Sequence, residues 1–97
     1  MKTFEKIRTW AYERNLYRKG DPKTQVIKLM EEVGELSKAI LNNNHPEIMD
    51  GIGDCVVVLT NLAELCDTSI ETCLHLAYEE IKDRHGEIVN GSFKKTK

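Results

Sequence analysis

A chain of 97 residues with 40% hydrophobic and 31% charged side chains reads as one globular domain, and a formal net charge of −2 excludes a general electrostatic pull toward nucleic acid or an anionic membrane. In the opening MKTFEKIRTW charges interrupt every apolar pair, so no signal-peptide core is read there. No apolar run of about 18 residues could span a bilayer, and the cytoplasm is the expected compartment.

Four amphipathic helices are expected, giving an all-α, four-helix-bundle-like domain over residues 1–97. The first covers about residues 2–15, with Phe4, Ile7 and Trp10/Ala11 on one stripe, and the glycine and proline of NLYRKGDP end it. The second covers about 22–42, with Asp21 as N-cap, Pro22 in the first turn, and Val26, Leu29, Val33, Leu36 and Ile40 at the helical period. Asn44 and Glu47 have capping-box spacing at the head of the third, about 46–66, whose middle, CVVVLT, is apolar on most sides and so needs cover on most sides. Such a helix predicts a homo-oligomer, a dimer or a dimer of dimers. The fourth covers about 69–85, with caps expected from Asp67 to Ser69 and Thr68 and Glu71 as a capping-box pair, and carries Ile70, Leu74, Ala77 and Ile81. The tail 86–97 is expected to be irregular. Cys55, Cys66 and Cys73, with no CxxC pair among them, are expected as reduced, buried thiols.

The chemistry concentrates in the middle of the chain. KLMEEVGELSKAI crowds Glu31, Glu32 and Glu35 beside an apolar stripe, where like charges three and four apart repel unless something positive lies between them. At about 100° per residue Lys28, Glu32 and Glu35 share one flank, with Glu32 nearest the core. On the next helix Glu47, Asp50 and Asp54 share a face, and Asn61 follows on that side. Two facing acidic ridges suit a hard cation such as Mg²⁺, which takes oxygen ligands and can bridge to phosphate; a solvated acidic face is the plainer alternative. A di-iron site would want Glu-x-x-His pairs, and His45, His75 and His85 do not supply them.

These residues resemble the all-α NTP pyrophosphohydrolases typified by MazG and the dimeric dUTPases, whose signature is EExxE on one helix and ExxD on the next. Glu31-Glu32-Val33-Gly34-Glu35 matches the first half, and DGIGDCVVVL matches the second at Asp54, with Gly51 where the signature has glutamate. Asp50, four residues before Asp54, or Glu47, which spells ExxD with Asp50 one turn earlier, can replace the missing carboxylate. The DGIGD form looks like short, phage-type members. The resemblance implies Mg²⁺-dependent cleavage of a nucleoside triphosphate to monophosphate and pyrophosphate, with Mn²⁺ as a possible substitute. It implies Glu32, Glu35, Asp50 and Asp54 as metal ligands, Glu31 as the carboxylate that handles the attacking water, and Lys28 at a position often basic in the family.

A triphosphate also needs cations, for which Lys82 and Arg84 at the end of the last helix are the candidates, with capping of that helix as the alternative. Asn61 joins them as a candidate substrate contact. Trp10 could stack on a base, although a lone tryptophan is more often core. No DNA-recognition helix or RNA-stacking platform is read. The competing function is a catalytically silent helical oligomerisation module with a vestigial metal site.

Overall fold

The computed structural model describes residues 2–96. Five helices run in order, α1 Thr3–Glu13, α2 Leu16–Lys19, α3 Pro22–Leu41, α4 His45–Leu65 and α5 Ile70–Ile81, followed by a hairpin of β1 Gly86–Val89 and β2 Ser92–Lys95. The domain is all-α apart from that hairpin.

α3 begins where its sequence says it should. The Asp21 carboxylate accepts hydrogen bonds from the Thr24 amide (2.8 Å) and the Thr24 hydroxyl (2.9 Å), and Pro22 stands in the first turn. Those bonds hold the Asp21 carboxyl below its ordinary value of 3.8. A lowered folded value means a contribution that is complete above the unfolded value and is lost as pH falls through the folded one. Asp21→Ala is therefore expected to melt below wild type at neutral pH, with the gap closing in acid below 3.8. Thermal melts of both chains across that range check this; a gap that persists in strong acid contradicts it.

α4 is the central helix, packing against α1, α2, α3 and α5, which buries Val58 and Thr60 of CVVVLT and leaves Leu59 exposed. Asn44 caps it, accepting from the Glu47 amide at 3.2 Å. The fully buried Thr60 hydroxyl donates to the Val56 carbonyl at 2.7 Å, so the apolar surroundings leave no polar atom unpaired there. The buried core is small: Ala11, Ala39, Val58, Ala63 and Ile70.

Several expectations are corrected. The first helix stops at Glu13, because Asn15 turns left-handed (φ 64°) and the chain restarts as the short α2. Ser69, not Thr68, caps α5 by accepting from the Thr72 amide at 3.1 Å; Glu71 instead takes two hydrogen bonds from the Arg8 guanidinium, 2.8 and 2.7 Å. α5 ends at Ile81 rather than near His85. Most of the expected irregular tail is the hairpin: Asn90 (φ 53°) and Gly91 (φ 81°) make a tight turn that pairs Ile88 with Phe93 and Glu87 with Lys94. Lys97, the last residue of that expected tail, lies outside the described residues.

The burial of several stripes is also corrected. Trp10 is 49% exposed, with the Arg14 guanidinium stacked 4.6 Å from its ring, and Cys66 and Cys73 are exposed while Cys55 is half-buried. Leu74, Ala77 and Ile81 on α5 and Val26, Val33 and Ile40 on α3 are exposed in the single chain. The reason is geometric: α5 packs along α4 and meets α1 through the Glu71–Arg8 pair in its first turn, and the radius of gyration, 15.9 Å, exceeds the value of about 13 Å usual for a compact chain of this length. Among the described residues no helix is long and apolar enough to cross a membrane.

Candidate functional site

α3 turns back into α4 through Asn42, Asn43 and Asn44, with Asn43 left-handed (φ 52°), so the two acidic helices lie side by side. Their carboxylates open onto a cavity of about 350 Å³ lined by Glu35 and Lys38 from α3 and by Glu47, Asp50, Gly51 and Asp54 from α4. Helical spacing explains the membership: Lys38 follows Glu35 by three residues, while Glu47, Asp50 and Asp54 are three and four apart.

Three of the four expected ligands, Glu35, Asp50 and Asp54, are thus brought together, and Glu47 joins them. Glu32 borders the core, 9% exposed, and its Oε1 lies 3.2 Å from the Lys28 ammonium rather than at the cavity. Lys28 is the positive group that the crowded glutamates call for. A hydrogen bond to Glu32 and its charge, with Glu31 and Glu35 adding, raise the Lys28 pKa. Glu31 is exposed on the solvent side of α3. Burial first, then the charges of Glu32 and Asp54, pushes the Cys55 thiol up, so this side chain stays protonated at neutral pH.

Other candidates stand elsewhere. Asn61 is buried, and its Oδ1 accepts a 2.7 Å hydrogen bond from the Tyr17 hydroxyl, tying α2 to α4. Tyr17→Phe would leave that amide oxygen without its partner, at an expected cost of about 1–3 kcal/mol. Urea unfolding measures it, and a loss under about 0.5 kcal/mol would mean water takes the place of the hydroxyl. Lys82 pairs with Glu79 at 3.1 Å, and Arg84 lines a cleft with Ile81 and Phe93. Trp10 lines two shallow clefts, one with Arg14 and Lys19 and one with Ile7 and Val57, neither sharing a residue with the carboxylate cavity.

Lys38 was missed in the sequence reading, although its three-residue spacing from Glu35 was visible; Tyr17 was missed because no local pattern ties it to Asn61. The cavity's side-chain set is four carboxylates and one ammonium, hard oxygen donors that fit a divalent cation in kind. Among the described residues no three Asp, Glu, His or Cys side chains stand together as a ready-made metal cage.

Residues 21–89 match the family described as the MazG nucleotide pyrophosphohydrolase domain. Over 58 residues the chain is 48% identical to an uncharacterized 18.2 kDa protein from the rep-hol intergenic region of Haemophilus phage HP1 (strain HP1c1). That stretch is 60% of this chain and 36% of the phage protein, so the chain corresponds to a minor part of that relative. No solved structure matches the chain.

Proposed function

Because the chain belongs to the MazG nucleotide pyrophosphohydrolase domain family, matched across both acidic helices, we propose that it hydrolyses a nucleoside or deoxynucleoside triphosphate to the monophosphate and pyrophosphate, using Mg²⁺. The observation that carries the reading is the shared cavity of Glu35, Glu47, Asp50 and Asp54, lying inside the matched segment.

In this reading Glu35, Asp50 and Asp54 hold the cation, with Glu32 able to join by exchanging the Lys28 ammonium for it. When bound, the cation neutralises phosphate oxygens and lowers the pKa of a water. Glu31, one turn from Glu35 on α3 though outside the cavity lining, would accept a proton from the attacking water as the water oxygen bonds to phosphorus and the P–O bond of the α–β bridge breaks, the bridging oxygen leaving with the departing phosphate group. Lys38, at the cavity wall, and Lys28, once released, engage phosphate oxygens. Lys82 and Arg84 line no part of this cavity, so their role requires a second copy of the chain to bring them there. Asn61, with its oxygen bound by Tyr17, acts through its hold on α2.

The test is pyrophosphate release from a panel of standard and modified NTPs and dNTPs. Activity is expected with Mg²⁺, to be retained with Mn²⁺, and to vanish with EDTA. A folded protein that releases no pyrophosphate from any member at any Mg²⁺ concentration overturns the reading. The silent oligomerisation module would then stand, favoured by the long exposed apolar stripes of α3 and α5.

A further inference from the structure

We infer that Gly51 is the positioning residue of the carboxylate cavity: by having no side chain where α4 meets Leu36 of α3, it sets the gap across which Glu35 and the Asp50/Asp54 pair face a common cation. The inference rests on the metal-dependent reading above and adds to it a residue that supplies no ligand.

Gly51 is buried, lines the cavity, and sits between Asp50 and Asp54 on α4. A Cβ there would lie 3.1 Å from both the Cβ and Cδ1 of Leu36 and 3.2 Å from its Cα. Cδ1 is a side-chain end that a rotamer change can move, but Cα and Cβ are fixed to the helix, so α3 itself would have to give by a few tenths of an ångström. Leu36 is the neighbour of Glu35, so any retreat of α3 at Leu36 carries Glu35 away from the α4 carboxylates. Ligand spacing matters because an ion bound by oxygens at about 2.0–2.6 Å tolerates little extra gap between donors.

The two other mid-helix glycines near the site behave differently. A Cβ on Gly34 or Gly53 meets nothing within 4 Å, so neither is required by packing. Of these three mid-helix glycines, Gly51 alone is held against the facing helix. The same contact bears on the break in the ExxD signature, since any side chain at 51 starts from a β-carbon pressed against Leu36. Asp50 and Glu47 already supply carboxylates to the same cavity. The missing ligand is thereby exchanged for a closer approach of the helices.

The experiment is Mn²⁺ binding to the protein alone, followed by loss of the free-ion signal in electron paramagnetic resonance, on wild type, Gly51→Ala and Gly53→Ala. Gly51→Ala is expected to bind Mn²⁺ at least about tenfold more weakly while remaining helical by circular dichroism. Gly53→Ala is expected to bind as wild type does and to melt higher, because alanine replaces glycine in open helix. Should Gly51→Ala not fold, Leu36→Ile decides, since it moves a branch onto the β-carbon that faces Gly51 and presses on the same contact from the other helix. Binding that is unchanged in the folded Gly51→Ala chain, or in Leu36→Ile where that variant decides, overturns the role of Gly51 and leaves the metal reading intact. No Mn²⁺ binding to wild type overturns both.

Discussion

Asp54→Asn is expected to lower pyrophosphate release by at least about tenfold, equivalent to about 1.4 kcal/mol in the barrier, and Glu35→Gln to do the same. Both substitutions keep the shape of the side chain and remove its charge. Both positions are solvent-exposed at the cavity wall, so the fold has little reason to change. Asp50 and Glu47 supply the finer test. Asp50 and Asp54 are one turn apart, about 6 Å along the axis, whereas Glu47 and Asp54 are about 10.5 Å apart. Asp50→Asn is therefore expected to weaken turnover and Mg²⁺ dependence strongly, and Glu47→Gln mildly. Near-normal rates in Asp54→Asn and Glu35→Gln would contradict the ligand set. The reverse order of Asp50 and Glu47 would move the operative pair one turn toward the start of α4.

The second large effect concerns assembly. Val26, Met30 and Val33 on α3 and Met49, Ile52 and Leu59 on α4 are all exposed in the single chain, with Met30 at 59% and Met49 at 62%. Apolar residues repeated at helical spacing on two neighbouring helices are the pattern of a face that buries against another helical pair. Light scattering at micromolar concentration is expected to give at least two copies. Met30→Glu, which places a charge on that face, is expected to weaken the association by about 2 kcal/mol, roughly thirtyfold. A monomeric wild type would contradict the proposal. It would also leave Lys82 and Arg84 without a route to the carboxylates.

What could be read in advance follows the range of the interactions involved. The start of α3 was legible because Asp21, Pro22 and Thr24 settle it within one turn. The burial of Glu32 was legible because helical phase alone puts it beside the core stripe. The shared cavity of Glu35, Asp50 and Asp54 was legible as two ridges, each a matter of spacing along one helix. Their distance across the helices was not, since it depends on Gly51 meeting Leu36, a contact with no local signature. The exposure of Trp10 and of the α5 stripe was equally out of reach, because a periodic apolar pattern says that a face wants cover and not which chain provides it. The hairpin is a different kind of miss: Asn90-Gly91 is a strong turn signal, while the segment around it was expected to be irregular.

Among the described residues, the non-glycine positions with left-handed backbone are Asn15, Asn43, Asp67 and Asn90, each an asparagine or aspartate and each at a reversal between neighbouring elements. Their short side chains tolerate that conformation, which most residues resist. Every such reversal joins elements that are consecutive along the chain, so the ends brought together by each are separated by few residues and the entropy lost in closing the loop is small. Chains dominated by local contacts reach the native state in microseconds to milliseconds. Refolding after dilution from urea is accordingly expected on that timescale. The antiparallel pair of acidic helices would form early around Asn43, and the terminal elements would then dock onto a site whose spacing is already set.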